Sequence, residues 1–124
     1  MATENSTTQW NTIVFHQIRN TVHMLFVAAR CRIKPEYCQE FATQVKTIIP
    51  LVRSESGCRR YELHTDVFDT DLFVFCEEWE SQHHLDEHIA TPHMQEHFSR
   101  TAEWRAAPTE LTIYEVSGVQ TVSL

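Results

Sequence analysis

The chain has 124 residues, which is enough for one domain but too few for two comfortable hydrophobic cores. Hydrophobic residues make up 42% of it, so a packed core is expected rather than global disorder. The formal net charge is −7, and the sequence contains no block of five or more basic residues that could follow a phosphate backbone. These features argue against nucleic acid as a partner.

The two ends of the chain are predicted to lie outside the folded domain. Residues 1–23 predict a partly flexible N-terminal extension, residues 24–117 the domain, and residues 118–124 a C-terminal tail. The start of the sequence lacks the pattern of a secretory leader, and its longest apolar run, residues 13–15, is too short to cross a membrane. With four cysteines and no CxxC motif, we expect reduced thiols in a cytoplasmic protein, with Cys31 and Cys76 buried on strands.

The first half of the domain predicts a strand followed by a helix. Residues 24–33 are apolar on both alternating sets as far as Arg30, which is typical of a strand covered on both faces. Pro35 and Glu36 predict a helix start. Pro50 lies within the helix, so a kink or break is expected there, and Gly57 is expected to act as a cap or turn. The apolar positions that recur at helical spacing are Tyr37, Phe41, Val45, Ile48, Ile49 and Val52.

The second half predicts a hairpin, a broken helix and a last strand. Residues 58–65 and 72–79 are the two strands of the hairpin, joined by an aspartate-rich turn. Ser81 is a suitable N-cap for a short helix that runs to Ala90. Thr91 and Pro92 begin another helix, as N-cap and first helical residue. Its predicted apolar stripe is Met94, Phe98 and Ala102, and residues 111–116 form the last strand.

The resulting order β-α-β-β-α-β is typical of an α+β, ferredoxin-like fold, with an antiparallel sheet that has its helices on one face. The other face of the sheet also carries apolar positions, including Phe26 and Ala28. One layer of helices cannot cover both faces. We therefore expect a second copy of the chain to cover the other one, forming a homodimer.

Only two glycines occur, Gly57 and Gly118. A dinucleotide fingerprint or a phosphate-cradling loop needs several glycines, so that backbone N–H groups can approach the phosphates. With two glycines the sequence can contain neither motif, and no flavin or nicotinamide cofactor bound in that manner is expected.

The segment 77–97 carries five histidines, and the first interpretation of them is a metal site. His84 and His88 are four residues apart, as are His93 and His97, a spacing that places two imidazoles on one helix face. The HExxH order of zinc proteases is absent, however. The alternative is that His83, His84 and His97 are solvated positions on an acidic helix face, and no metal is predicted.

The second interpretation is acid–base chemistry. A histidine titrates in the range suited to taking a proton from a phenol at neutral pH. His88 follows Leu85 by three residues, toward the inner side of the short helix, and His93 stands just inside a helix N-terminus. Both could equally be packing residues, and Trp79, at the end of an apolar strand, is on pattern alone a core residue.

The run Glu77-x-Trp79-Glu80-Ser81-x-x-His84-Leu85-x-x-His88-x-x-Thr91-Pro92-His93-Met94 resembles the antibiotic biosynthesis monooxygenase family, and within it the quinol monooxygenase branch. The resemblance covers residues 24–117 and extends to Pro50 and to the sequence Gly57-Cys58-x-x-Tyr61. It implies a dimeric α+β barrel that oxidises a quinol or phenol with O₂ and without a cofactor.

The resemblance implies His88 or His93 as the catalytic base, and a substrate pocket formed by Tyr61, Glu77, Trp79 and Met94. The Asn, Trp and His that haem-degrading relatives use fall at Arg30, His88 and Phe98, so haem is not expected.

Two other functions stay open. One is isomerisation of a small phosphorylated, sugar-like signal, and the other is a non-enzymatic stress-response dimer of the same fold. An enzyme should keep a pocket between sheet and helices, whereas a purely structural protein should fill that space with side chains.

Overall fold

The computed structural model describes residues 24–124, and the predicted N-terminal extension lies outside them. The elements follow in the predicted order. They are β1 (Met24–Arg32), a 3-10 turn (Pro35–Tyr37), α1 (Cys38–Arg53), β2 (Cys58–Thr65), β3 (Leu72–Trp79), α2 (Gln82–Ala90), α3 (Pro92–Thr101), a second 3-10 turn (Ala102–Trp104) and β4 (Glu110–Val116). No helix or strand follows between Val116 and residue 124.

The four strands form one antiparallel sheet in the order β2-β3-β1-β4. The predicted ferredoxin-like arrangement is therefore confirmed. A register shift between Cys58 and Arg60 places a bulge at the start of β2. After this bulge Tyr61 lies opposite Glu77, and both side chains are buried.

The core lies on the face of the sheet that the helices cover. Alternate residues of β1 and β3 point to that face, and α1 packs against them with a buried stripe at helical spacing. Phe41 of α1 meets the ring of Phe73 edge-on at 5.0 Å between ring centroids. The buried residues of α1 are Phe41, Val45, Ile48 and Val52.

The predicted break at Pro50 and the predicted burial of Cys76 were wrong. The helix α1 runs through Pro50 without a break and ends three residues later, at Arg53. The buried stripe on both sides of Pro50 stabilises the helix by packing, which outweighs the lost backbone hydrogen bond. Cys76 is only half-buried, because it lies on the face of β3 opposite the helices, whereas Cys31 is buried as predicted.

None of the helices within residues 24–124 is both long enough and apolar enough to cross a membrane.

Candidate active site

A cavity of about 420 Å³ lies between the helix-covered face of the sheet and the helices α2 and α3. This volume is in the ~300–1,000 Å³ range of small-molecule sites. Most of the lining is apolar, and Phe98 and Leu111 are its most exposed members, so they mark the side on which the cavity meets solvent. The polar side chains of the lining include Glu77, His88, His97, Arg105 and Thr109.

The break between α2 and α3 determines where the histidines lie. Thr91 has extended backbone angles (φ −63°, ψ 150°), as expected of a residue that precedes a proline. Its hydroxyl donates to the carbonyl of His88 at 2.8 Å and accepts from the N–H of Met94 at 3.4 Å, which caps α3. The last turn of α2 and the first turn of α3 therefore meet, and His88 and His93 lie on the two sides of the junction.

His88 is buried in an aromatic environment at the wall of the cavity. Its ring lies 4.5 Å from the Trp79 ring and 5.5 Å from the Tyr61 ring, between centroids. Its Nδ1 atom lies 3.1 Å from both carboxylate oxygens of Glu55. Because Nδ1 is engaged there, Nε2 is the ring nitrogen that remains for a molecule in the cavity.

Glu55 joins the two histidines. One of its oxygens lies 2.7 Å from Nε2 of His93 and 3.1 Å from Nδ1 of His88. Glu55 stands in the turn after α1, and its carbonyl accepts a hydrogen bond from the N–H of Cys58 at 3.2 Å. Gly57 makes this turn possible, because its φ is +81° and a Cβ there would lie 2.3 Å from the ring of His84.

Burial lowers the pKa of His88 below its ordinary value, and the hydrogen bond that its Nδ1 donates to Glu55 offsets part of that effect. His88 is therefore a neutral imidazole at neutral pH. A Glu55 carboxylate can only accept, so Nδ1 carries the proton of the neutral ring and Nε2 is unprotonated. In that tautomer the nitrogen that remains for the cavity is basic.

Glu77 is a second buried titratable group of the cavity. It accepts a hydrogen bond at 2.9 Å from the indole N–H of Trp79, two residues further along the same face of β3. Burial raises the pKa of the Glu77 carboxyl to about 7, although the bond from Trp79 acts in the opposite direction. A carboxyl with that pKa can both accept and donate a proton near neutral pH.

His97 is almost fully buried, so the prediction of a solvated position was wrong. The buried line of α3 is Met94, His97 and Thr101 rather than the predicted Met94, Phe98 and Ala102. Counting only apolar residues missed His97, which lines the cavity together with Met94 and Phe98. Burial, followed by the charge of Arg105, lowers the pKa of His97 to about 4.

The predicted site residues divide into three groups. Tyr61, Glu77, His88 and Met94 line the cavity. Trp79 is fully buried behind the lining, where it contacts His88 and Glu77. His93 lies on the far side of Glu55, beside a shallow groove between α1 and α3.

The pairs His84/His88 and His93/His97 do not bring their imidazoles together as a metal site would require. The ring of His84 is hydrogen-bonded to Ser81 at 2.7 Å, while His88 is bonded to Glu55. Among residues 24–124, no group of three or more His, Cys, Asp or Glu side chains is placed to hold a metal ion.

Sequence reasoning missed Glu55, His97 and Arg105. Glu55 is 33 residues from His88 and stands in a polar turn, where an acidic residue is ordinary. The i, i+3 spacing of Met94 and His97 could have identified His97 as inward-facing. Arg105 follows the last helical turn, and no sequence pattern indicates that it reaches the cavity.

Comparison with known proteins decides the family. The sequence profile described as "Antibiotic biosynthesis monooxygenase" matches residues 24–100, which is more than half of the chain. The chain belongs to this family. The family predicted from the motif over residues 77–94 is thus confirmed.

Individual relatives agree with this assignment. An uncharacterized protein of Synechocystis is 33% identical over 98 residues, covering 79% of this chain and 67% of the relative. YgiN of Escherichia coli, named as a probable quinol monooxygenase, is 35% identical over 82 residues, covering 58% of this chain and 79% of YgiN. The crystal structure of a conserved protein from Methanosarcina mazei superposes with a TM-score of 0.74 at 29% identity, covering 82% of this chain and 98% of that one.

Proposed function

We propose that this family member is a cofactor-independent monooxygenase or oxidase that acts with O₂ on a quinol or phenol. The observation that carries the proposal is the His88–Glu55 pair at the wall of an apolar cavity. A base oriented by a carboxylate and shielded from water is what removal of a phenolic proton requires.

In this proposal, His88 takes the proton of a substrate hydroxyl at Nε2. Protonation makes the ring an imidazolium, and the negative charge of Glu55 on Nδ1 stabilises it. Trp79 and Tyr61 hold the ring plane by packing against it. Glu55 and Trp79 are positioning residues, and His88 is the catalytic one.

The deprotonated substrate then supplies the electrons for O₂. A quinol and O₂ give a hydroxyquinone and water, with one oxygen atom added to the ring carbon, or a quinone and H₂O₂ if no oxygen is inserted. Both equations balance without an external reductant, which agrees with a sequence that has only two glycines and no nucleotide-binding motif. Glu77, when protonated, can donate a hydrogen bond to an oxygen that becomes negative in the cavity.

The cavity favours this function over the two alternatives. Its lining is mostly apolar and aromatic, which suits an aromatic ring better than a phosphorylated sugar. A purely structural dimer has no need for an open space of about 420 Å³ beside buried titratable groups.

We further propose that the protein is a cytoplasmic homodimer, with the second copy on the face of the sheet away from the helices. Phe26, Ala28 and Val74 are only half-buried on that face. Tyr114 of β4 packs beside Phe26 at 6.1 Å between ring centroids and is half exposed. Such a surface is typical of an interface between copies.

Metal-free protein should be tested against a panel of quinols and phenols, with O₂ uptake as the readout and phosphorylated sugars assayed for isomerisation in parallel. The proposal predicts enzyme-dependent O₂ uptake on at least one quinol and, for an oxygenation, one labelled oxygen atom in the product from ¹⁸O₂. Isomerisation without O₂ uptake would contradict it, as would no turnover on any member of the panel.

A further inference from the structure

We propose that the cavity has a second polar end that binds an anionic group of the substrate, and that the substrate is therefore a phenol or quinol that carries a carboxylate. The residues that form this anion site are Arg105 and His97. The inference rests on the proposed function for the reacting end of the cavity, and adds to it the chemical class of the substrate.

The Arg105 backbone is fixed where the chain leaves α3 and returns to the sheet. Residue 105 forms a β-bridge with Ile33, just beyond the end of β1. On either side of this bridge, the N–H of Lys34 donates to the carbonyl of Trp104 at 2.8 Å, and the N–H of Ala106 donates to the carbonyl of Arg32 at 2.9 Å. The position from which the side chain enters the cavity is thus determined by the strand pairing.

The Arg105 guanidinium is held by neutral partners. Its Nε donates to the hydroxyl of Thr109 at 3.1 Å and its Nη1 to the hydroxyl of Thr101 at 2.6 Å. Within the described part of the chain its further side-chain hydrogen-bond partner is the thiol of Cys31, and none of its partners is a carboxylate. These partners orient the planar fork without neutralising its charge.

An unsatisfied polar atom lies beside it. His97 is 1% exposed and lines the same cavity. Its Nδ1 atom is buried and has no hydrogen-bond partner among the residues that the structure describes. Thr101 connects the two residues, because its hydroxyl accepts from Nη1 of Arg105 at 2.6 Å and donates to the carbonyl of His97 at 2.8 Å. Leaving a buried nitrogen unpaired is costly, and a ligand oxygen would remove that cost.

A carboxylate suits this arrangement better than a neutral group. The planar guanidinium matches the planar carboxylate, and a charge-assisted hydrogen bond is about twice as strong as a neutral one. A neutral His97 can donate from Nδ1 to the same carboxylate. A substrate bound in this way would place its carboxylate at Arg105 and its hydroxyl at His88, two residues of the same cavity lining.

Binding of two probes of equal size tests the proposal without turnover. The probes are 4-hydroxybenzoate and its neutral analogue 4-hydroxybenzamide, and their Kd values are measured by calorimetry on the full chain. The wild-type protein is expected to bind the carboxylate about 10- to 100-fold more tightly. In Arg105→Gln, the ratio of the amide Kd to the carboxylate Kd should fall to about one. Arg105→Lys should restore part of this ratio. A third probe, 4-hydroxyphenyl phosphate, tests the choice of carboxylate.

Arg100→Gln is the matched control, because Arg100 is exposed on α3 and paired with Glu96. It should leave the ratio unchanged. If Arg105 only supports the fold, Arg105→Gln lowers Tm but leaves the ratio as in the wild type, which overturns the proposal. Equal affinity for both probes, binding of neither, or a preference for the phosphate also overturns it.

Turnover separates this inference from the function on which it rests. O₂ uptake on neutral quinols with a ratio of about one would contradict the anion site and leave the proposed function standing. If the carboxylate probe binds more tightly in a manner that depends on Arg105, but no quinol or carboxylate-bearing quinol supports O₂ uptake, the anion site stands and the proposed function is contradicted.

Discussion

Both carboxylate oxygens of Glu55 lie 3.1 Å from Nδ1 of His88, although the two residues are 33 positions apart. The pair joins the turn after α1 to the last turn of α2, and His88 lines the cavity. Glu55 is therefore placed as a carboxylate that orients a base.

Glu55→Gln should lower turnover by about tenfold or more, because the amide cannot stabilise the imidazolium. It should also change the pH profile. The hydrogen bond that His88 donates to Glu55 raises the pKa of His88, so its loss should move the acid limb of kcat/KM to lower pH. Glu96→Gln, at an exposed ion pair on α3, is the matched control. An acid limb that stays in place would show that His88 does not titrate in the reaction.

Glu77→Gln should change how stability depends on pH. The pKa of the wild-type carboxyl is about 7 in the folded protein against 4.5 for the ordinary group, so between these values the folded state binds more protons than the unfolded one. This group therefore makes the wild-type protein less stable as the pH rises through that window, by roughly 3 kcal/mol in total.

Urea unfolding at pH 5 and pH 8 measures the effect. The Gln variant keeps an acceptor for the indole of Trp79 but has no titrating carboxyl. Its free energy of unfolding relative to wild type should therefore be higher at pH 8 than at pH 5. His97, with a pKa of about 4, produces the opposite slope in both proteins and cancels in the difference. If the free energy of unfolding depends on pH equally in the two proteins, the claim that Glu77 has a raised pKa in the folded state is refuted.

Gly57→Ala should destabilise the protein by about 1–3 kcal/mol, since the residue has a φ of +81° and its new Cβ would meet the ring of His84. Gly118→Ala, in the C-terminal tail, is the control and should have little effect. Chemical denaturation gives both values, and a Gly57 variant as stable as the control would mean that the turn adapts.

The proposed homodimer predicts a mass of two chains in light scattering at micromolar concentration. Phe26→Glu, on the half-buried face of β1, should shift the protein toward the monomer because it places a charge in the interface. A wild-type protein that is monomeric under these conditions contradicts the dimer.

The fold could be predicted because each element has a local signal. The bounds of β2 and β3, the Ser81 cap and the Thr91–Pro92 restart all follow from residues within a few positions of each other. The site could be predicted only in part. Helical spacing was enough to identify His88 from the sequence. Glu55 and Arg105 could not be identified, because they reach the site through the packing of elements that are distant in sequence. Pro50 shows the same limit, because tertiary packing outweighed its local preference.

The most direct test of the central claim compares His88→Ala with His83→Ala on the best quinol of the panel, after both variants are shown to fold. His88 lines the cavity and His83 is exposed at the start of α2. Loss of a general base should lower kcat/KM by ~10²–10⁴-fold for His88→Ala, with His83→Ala unchanged. A folded His88→Ala protein with a near wild-type rate would contradict the claim that this residue removes the substrate proton.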